Sequence, residues 1–328
     1  MRKPLLLAIG ITFAGALLVF PYLFKETRQI DYVAADPQAP EIMSDNIELL
    51  FVGDIMLSRK VGENIVASGD WRFPFLKIAD FLGSADLTFA NLENPVSNRG
   101  VKMGSIYSFR ADPRTLEGLT YAGIDIVSLA NNHIWDYGRD AFLDTMTYLD
   151  NIGISYVGAG QNFDNVHRGI TSTVKGTKIT YLAYTDLLSK QLAATATSPG
   201  VAYLDRTQMV KDIVQAKASS DFVIVSFHTG DEYETQHNQN QEVIFKEAID
   251  AGASLVIGHH PHVVQEVEQY KNGWIAYSLG NFIFDQNFSE ETKQGLALRV
   301  TLQNEKIESV ESIPVYISAL SQPSIKIK

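Results

Sequence analysis

A series of short apolar runs, separated by stretches with helical periodicity, restricts the fold of this chain more than any other feature. The first run, residues 47–53, ends at a glycine followed by an aspartate, as expected of a buried strand. Alternation of this kind favours an α/β fold over separate all-α and all-β modules. Strands are predicted at residues 47–53, 86–93, 124–130, 154–160, 178–185, 221–228 and 253–260, and helices at residues 59–68, 113–122, 139–151, 206–219 and 241–251.

The pattern changes towards the C-terminus. Asn272 and Gly273 separate two strand-like runs, which is a strong hairpin signal. Residues 295–317 then alternate apolar and polar side chains with a period of two. The C-terminal part of the domain is therefore predicted to be antiparallel.

The N-terminal residues predict a membrane anchor. Arg2 and Lys3 precede an apolar stretch from Pro4 to Phe24, which is long enough to cross a bilayer as a helix. No small-x-small motif follows it, so an uncleaved anchor is favoured over a cleaved signal peptide. We expect an anchor at residues 1–25, a polar linker at residues 26–46 and a folded domain at residues 47–328, in a single-pass protein of the cell membrane whose C-terminal domain is extracytoplasmic.

Charge and composition narrow the functions that are open to the chain. The 27 lysines and arginines stand against 38 acidic residues, and the net charge of −11 argues against a nucleic-acid-binding surface. The chain has no cysteine, so a metal site would have to use histidine, aspartate, glutamate and asparagine. A bound divalent cation is one way for such an acidic chain to attract an anionic substrate.

Polar residues collect where the predicted strands end. In an α/β sheet the carboxyl ends of the strands carry the functional loops, so we expect five such segments to converge on one edge of the sheet. Nitrogen and oxygen donors from separate loops would then suit one or two divalent metals. The five segments contribute Asp54, then Asn91 and Glu93, then Asn131, Asn132 and His133, then His228, and finally His259, His260 and His262.

Each segment taken alone has a plainer interpretation. Asp54 is suited to a helix cap or a turn, Glu93 and the asparagines before His133 to turns, and His228 to a hydrogen-bonded core position. The three clustered histidines differ, because burying them together without a ligand would leave ring nitrogens unsatisfied. Two further histidines are weaker candidates: His167 is predicted to lie on the surface, and His237 lies in a polar loop that could cover the site.

Six stretches, in order, resemble the motifs of the CapA/PgsA family of poly-γ-glutamate capsule synthesis proteins. That family is similar in turn to the calcineurin-like metallophosphoesterases, which implies a four-layer α/β/β/α sandwich. The stretches are "FVGDIMLSR" (51–59), "ANLENPVS" (90–97), "SLANNHIWDYG" (128–138), "SFHTGDEY" (226–233), "IGHHPHVVQ" (257–265) and "YSLGNFIFDQ" (277–286).

The resemblance implies a role for individual residues. A divalent metal (manganese, zinc, iron or magnesium) would be bound by Asp54, Glu93, Asn132, His228, His260 and His262, with Glu93 bridging two ions. Catalysis would rest on Asp54, which helps to hold an attacking water, and on His133 as proton donor to a leaving group. Substrate contacts would come from Asn91, His259, Glu232 and Asn281.

Two positions depart from the related families. Met56 stands where phosphoesterases have a histidine ligand two residues after the first aspartate, so one metal position loses a ligand. Thr229 replaces a tryptophan that is usual in the capsule family, which alters the floor of the site.

The resulting hypothesis is a protein that serves the synthesis, export or attachment of an anionic poly-γ-glutamate-type polymer. Its partners would be the lipid bilayer, other membrane proteins of a capsule synthase and the polymer. Whether it is an enzyme stays open; an enzyme would be a metal-dependent hydrolase. The alternatives are a cell-surface phosphatase or phosphodiesterase, and a non-catalytic subunit that binds the polymer.

Overall fold

The computed structural model describes residues 46–325. The anchor predicted at residues 1–25 and all but the last residue of the predicted linker lie outside this range. Within the described range, no helix is both long enough and apolar enough to cross a membrane.

The apolar runs form strands, because alternate side chains of each run can be buried on one face of a sheet. The strands, numbered in chain order, are β1 (Ile47–Ile55), β2 (Leu87–Leu92), β3 (Ile126–Ser128), β4 (Ser155–Val157), β5 (Ala159–Gly160), β6 (Ile170–Val174), β7 (Thr177–Thr185), β8 (Gly200–Val201), β9 (Phe222–His228), β10 (Leu255–His259), β11 (Val267–Tyr270), β12 (Gly273–Ala276), β13 (Asn281–Ile283), β14 (Gln294–Gln303), β15 (Lys306–Ile317) and β16 (Pro323–Ile325).

Most of these strands belong to two sheets. The first has the order β16-β15-β14-β1-β2-β3-β4, with β13 paired to β1. In it, β1 to β4 run parallel and β14 to β16 antiparallel. The second has the order β11-β12-β10-β9-β7-β6, and its four central strands run parallel. Because the central strands are parallel, their carboxyl ends meet at the same edge of each sheet.

Helices connect the parallel strands and cover the outer faces of the sheets. The helix that begins at Gln239 is preceded by a capping box, in which the side chains of Asn238 and Gln241 each accept the other's backbone N–H. The helices are α1 (Arg59–Ser68), α2 (Ala79–Leu82), α3 (Leu116–Tyr121), α4 (Gly138–Ile152), α5 (Phe163–Arg168), α6 (Arg206–Lys217) and α7 (Gln239–Ala251).

Three apolar clusters hold four layers together. Between the sheets, the rings of Phe89 and Tyr181 stack with their centroids 5.9 Å apart. A second cluster, between the first sheet and its helices, contains Phe142 of α4. A third cluster, between the second sheet and its helices, contains Phe245 of α7. The order of layers is helix, sheet, sheet, helix, and the mixed α/β class that the sequence predicts is confirmed.

The local predictions are mostly confirmed, with three corrections. The helix predicted at residues 113–122 is a 3₁₀ turn, Pro113–Thr115, followed by α3. The strand predicted at residues 154–160 is divided into β4 and β5. In the hairpin of β11 and β12, Tyr270 pairs with Gly273, so the two-residue turn lies one position earlier than predicted. The predicted antiparallel C-terminal part is present as β14, β15 and β16.

Candidate metal centre

Polar side chains replace apolar ones at the carboxyl ends of strands in both sheets. Phe89 of β2 belongs to the core between the sheets, and strand alternation puts Asn91 and Glu93 on the same face. In β9 and β10, alternation likewise puts His228 and His259 on the inner face, paired in register. The site therefore lies at the end of the space between two sheets. The prediction of one edge of a single sheet was wrong, because periodicity in the sequence does not reveal which strands share a sheet.

Asp54 is held in place by close contact between β1 and β13. Its Cα pairs with Asn91 on one side and with Asn281 on the other, and its N–H donates to the carbonyl of Gly280 at 3.0 Å. A Cβ on Gly53 would collide with that same carbonyl oxygen. Glycine at position 53 is therefore needed for the close approach that positions the fully buried Asp54.

Glu93 lies at the centre of the site. Its Oε1 atom is 3.7 Å from His262 Nε2, 3.8 Å from His228 Nε2 and 3.9 Å from His133 Nε2. Glu93 is fully buried, and Oε1 has no hydrogen-bond partner among residues 46–325. A buried carboxylate oxygen that faces three imidazole nitrogens from beyond hydrogen-bond distance is placed to share a cation with them.

Two groups of potential ligand atoms share Glu93. One group is Asp54, Glu93 and His228, the other is Glu93, His260 and His262, and within each group the atoms lie within 4.8 Å of one another. His260 Nδ1 is also buried without a hydrogen-bond partner in the described part of the chain. Nitrogen and carboxylate donors of this kind suit zinc, manganese or iron. The residues therefore fit a divalent cation, and Glu93 belongs to both groups of potential ligands.

Asparagine side chains fix the orientation of these groups; those of Asn91 and Asn131 are buried, and that of Asn132 is partly exposed. Asn91 Nδ2 donates to Asp54 Oδ1 at 2.9 Å and lies 3.2 Å from His228 Nδ1. Asn131 Nδ2 donates in turn to Asn91 Oδ1 at 3.2 Å. On the other side of the imidazole, Asn132 Oδ1 lies 2.9 Å from His228 Nε2. Hydrogen bonds from such neighbours orient metal-binding histidines in other proteins, and these asparagines are placed to do the same.

The three clustered histidines occupy different positions. His259 is fully buried, with Nδ1 3.2 Å from Asp54 Oδ1 but outside hydrogen-bond geometry. His260 and His262 both have left-handed backbone conformations, with φ of 98° and 59°. Such conformations cost roughly 1–3 kcal/mol each in residues other than glycine, and they persist where the surrounding structure enforces them. The two strained residues, His260 and His262, flank Pro261 and form one potential ligand group with Glu93.

His133 is paired with an acid that sequence reasoning missed. Its Nδ1 lies 2.7 Å from Asp136 Oδ2, which also accepts the N–H of Phe109 at 2.7 Å. The Phe109 ring stacks on the imidazole at a centroid distance of 3.9 Å. With Nδ1 held by a carboxylate, Nε2 is left to exchange a proton on the side of Glu93. An aspartate three residues after the histidine was the signal that would have identified Asp136.

Burial shifts the pKa values of the central groups in opposite directions. Burial, together with the charge of Asp54, raises the pKa of Glu93 well above its usual range. Burial and the neighbouring His262 lower the pKa of His260 to about 3. Burial and His260 likewise hold the pKa of His228 well below its usual value. At neutral pH these two histidines are uncharged, and a bound cation would favour the charged form of Glu93.

A cavity of about 490 Å³ opens onto the site, and His133, His262 and Asn132 form part of its wall. This volume is typical of small-molecule sites. A larger cleft of about 940 Å³ is lined by residues such as Lys217 and Trp274 and contains none of the buried histidines. The smaller cavity is therefore the better candidate for a substrate site.

The structure brings every predicted site residue to this region. Asn91 and Asn281 are fully buried; Asn281 Oδ1 lies 3.0 Å from His262 Nδ1. Their position favours an orienting role, and their contact with a substrate stays a prediction. The predicted residues that lie together are Asp54, Asn91, Glu93, Asn132, His133, His228, His259, His260, His262 and Asn281, with Glu232 exposed in the wall of the cavity.

The other two histidines are explained by packing. His167 was predicted to lie on the surface, and this was wrong: its side chain is only 10% exposed and its Nδ1 lies 2.7 Å from Asp212 Oδ2. Asp212 also accepts the hydroxyl of Tyr184 at 2.9 Å. His237 stacks on Tyr277 at a centroid distance of 3.7 Å and is not among the residues that line the cavity.

The two departures from the family pattern have clear positions. Met56 is buried on the helix side of the first sheet, and its Sδ accepts the hydroxyl of Ser58 at 3.1 Å. It offers no ligand to the site. Thr229 is buried, and its N–H donates to the carbonyl of His259 at 3.2 Å, which ties the loop after β9 to the end of β10.

The fold and the site together define an α/β protein with a buried cluster of histidine and carboxylate donors. The family described as "Bacterial capsule synthesis protein PGA_cap" matches residues 48–286. The chain belongs to this family. "Capsule biosynthesis protein CapA" of Bacillus anthracis is 32% identical over 282 residues, which cover 84% of this chain and 68% of the relative. "PGA biosynthesis protein CapA" of Bacillus subtilis (strain 168) is 29% identical over 328 residues, covering 99% of this chain and 83% of the relative.

Solved structures resemble the chain more distantly. A hypothetical protein from Thermus thermophilus aligns with a TM-score of 0.50 and 14% identity, covering 82% of this chain and 98% of that chain. The calcineurin-like phosphoesterase YfkN from Bacillus subtilis aligns with a TM-score of 0.42 and 14% identity, covering 82% of this chain and 90% of that chain. The first likeness extends to the fold alone, and the second is too weak to support an argument.

Proposed function

We propose that this protein is a divalent-metal-dependent component of poly-γ-glutamate capsule production, acting in the synthesis, export or attachment of the polymer. Family membership supports the capsule role, because the family and both relatives named above are described by capsule or PGA biosynthesis. The buried cluster of histidines and carboxylates supports the metal dependence.

One observation supports the metal centre more than any other. Glu93 Oε1 is buried, has no hydrogen-bond partner among the described residues, and lies 3.7–3.9 Å from the Nε2 atoms of His262, His228 and His133. A structural carboxylate in the same place would be hydrogen-bonded, because an unsatisfied buried polar group is costly. Since Met56 supplies no ligand, we expect one cation to be held more tightly than a second.

The arrangement supports a hydrolytic reaction. A bound divalent cation would act as a Lewis acid towards a water molecule and the substrate. Asp136, as acceptor of the Nδ1–H, would stabilise the doubly protonated imidazolium of His133, whose Nε2–H would be donated to the leaving group. Asp54, Glu93 and the histidines would hold the cation, the asparagines would orient these ligands, and the cavity would admit the substrate.

We also propose that residues 1–25 anchor the protein in the cell membrane, with the folded domain outside. The support is the sequence alone: two basic residues followed by the apolar stretch Pro4–Phe24. Contacts with other membrane proteins of the capsule synthase belong to the same proposal. Replacing residues 1–25 with an unrelated anchor separates membrane attachment from specific contacts, because only the contacts would be lost.

Polymer production in a capsule-forming bacterium without its own copy tests the proposal. The cells would carry the wild-type chain, Glu93→Gln, or Glu117→Gln as a control; Glu117 is an exposed acid in α3. We expect polymer from the wild type and the control and none from Glu93→Gln at equal protein levels. Wild-type yields from Glu93→Gln would contradict the metal dependence.

A cell-surface phosphatase or phosphodiesterase is the second candidate, and the pair of His133 and Asp136 beside Glu93 favours it. Such a protein would hydrolyse a generic phosphodiester whether or not polymer is made. If cells without the chain make normal polymer while the purified protein hydrolyses the phosphodiester, this candidate replaces the capsule role. Polymer production without any hydrolysis, unaffected by Glu93→Gln, would instead support a non-catalytic subunit.

A further inference from the structure

A single arginine lies in the wall of the cavity. Among the described residues that line it, Arg59 is the only lysine or arginine, and the acids Glu232 and Asp285 line the same cavity. The chain as a whole carries a net charge of −11. An anionic substrate therefore needs a local positive group here, and Arg59 is the protein side chain that provides one.

The backbone of Arg59 is strained. It is the first residue of α1 and has φ of 50°, a left-handed conformation that is uncommon for a long side chain. Asp285 contacts both the side chain of Arg59 and the backbone that follows it. The carboxylate, 3% exposed, lies 2.9 Å from Arg59 Nη2 and accepts the N–H of Lys60 at 3.2 Å. Strain that the surroundings maintain in this way is typical of functional positions.

The guanidinium of Arg59 is held in position, but its N–H donors are not all hydrogen-bonded to described residues. Its Cζ lies 5.1 Å from the centroid of the Phe109 ring, the same ring that stacks on His133. The contact with Asp285 is an ion pair outside hydrogen-bond geometry, and Asp285 Oδ1 has no hydrogen-bond partner in the described chain. Arginine carries five N–H donors in a planar fork that matches an oxyanion. These donors are therefore available beside the proposed proton donor.

We propose that Arg59 binds a carboxylate of the substrate, and that this carboxylate is the free α-carboxylate of a γ-linked glutamate residue. The proposal rests on the proposed function, because it names the ligand of the same cavity. A γ-linkage leaves one α-carboxylate on every residue of the polymer, so an anion is present wherever the chain enters the cavity. Phosphate offers the same oxyanion chemistry and is the competing source.

Binding measurements on the 328-residue chain test the proposal. The probes are an oligomer of γ-linked glutamate, the same oligomer with its α-carboxylates methylated, and inorganic phosphate. The variants are Arg59→Gln and Arg59→Lys, with Arg72→Gln as a matched control. Arg72 also pairs with an aspartate at 2.9 Å and lies 5.1 Å from the centroid of a tyrosine ring, but it does not line the cavity. Bound metal is measured in each protein.

Arg59→Gln should weaken oligomer binding about 10- to 100-fold, the range for lost hydrogen bonds to a charged group. The affinity of Arg59→Lys for the oligomer should lie between those of the wild type and Arg59→Gln, because lysine keeps the positive charge but lacks the planar set of N–H donors. Arg72→Gln should bind like the wild type, and the methylated oligomer should bind the wild type as weakly as the free oligomer binds Arg59→Gln. Metal content should be the same in all four proteins.

Equal binding of the oligomer to wild type and Arg59→Gln would overturn the proposal. If Arg59→Gln weakened the binding of phosphate but not of the oligomer, the proposal would also be overturned. Arg59 would then be assigned to binding a phosphate group of the substrate. Neither result touches the proposed function, which is tested separately through Glu93 and polymer production.

Discussion

Glu93 Oε1 and His228 Nε2 lie 3.8 Å apart although their strands belong to different sheets. Glu93 follows β2 of the first sheet, and His228 ends β9 of the second. The candidate metal centre therefore exists only when the two sheets are stacked in their native arrangement. Burial between the sheets also removes the water that would otherwise satisfy these groups.

The pair of Asp136 and His133 should be needed for proton transfer but not for metal binding. Asparagine at position 136 can still accept the N–H of Phe109 but cannot stabilise a charged imidazole. We predict that Asp136→Asn lowers the turnover of a phosphodiester by roughly 10²-fold or more and leaves metal content unchanged. Asp140→Asn, an exposed acid in α4, is the control. No turnover by the wild type, or equal turnover by Asp136→Asn, would disprove the hydrolytic role.

Gly258 should tolerate no side chain. A Cβ at this position would collide with the carbonyl oxygen of Tyr277, where β10 and β12 run side by side. We predict that Gly258→Ala lowers the free energy of unfolding by about 3 kcal/mol or more, since the backbone ahead of His259 must move. At Gly83 the nearest atom to a Cβ would be 3.4 Å away, so Gly83→Ala should cost about 1 kcal/mol at most. Urea unfolding of both variants measures the difference, and equal stability would disprove the close contact.

The low pKa of His260 should make the metal-free protein sensitive to acid. Its pKa of about 3 in the folded protein lies below the ordinary value of 6.5. Between these values the unfolded chain binds a proton that the folded protein does not, so stability falls as the pH falls. From pH 7 to pH 5 the contribution is about 2 kcal/mol. Urea unfolding of chelator-treated protein measures the free energy of unfolding at pH 7 and at pH 5. Between these pH values His260→Asn should lose less of this free energy than the wild type, by that amount. An identical loss in both proteins would show that His260 titrates normally.

The sequence predicted the elements better than their arrangement. Asp54, Asn91, Glu93 and His228 were identified because each follows an apolar run, and strand alternation does bring such residues to one face. That they come from two sheets depends on strand pairings far apart in sequence, which periodicity cannot show. β6 lies at the edge of its sheet beside β7, and it was missed because its residues are half exposed and carry no apolar pattern.

Two residues at the site were missed because their roles depend on a side-chain contact and a backbone conformation. Asp136 matters because its carboxylate reaches His133 Nδ1, and Arg59 because a strained backbone directs it to the cavity. The spacing of Asp136 from His133 is visible in the sequence, but the contact between their side chains and the strain at Arg59 are not. His167 shows the reverse error: it lies away from every strand end, yet its side chain is only 10% exposed, because α5 packs beside α6 and brings Asp212 to it.

Metal content tests the central claim most directly. The purified 328-residue chain would be equilibrated with manganese or zinc, freed of excess metal and analysed by mass spectrometry, alongside Glu93→Gln and the control Glu117→Gln. We predict at least one cation per chain in the wild type and the control, and a loss of most of it in Glu93→Gln, because both ligand groups share that carboxylate. No bound metal in the wild type, or full occupancy in Glu93→Gln, would contradict the account.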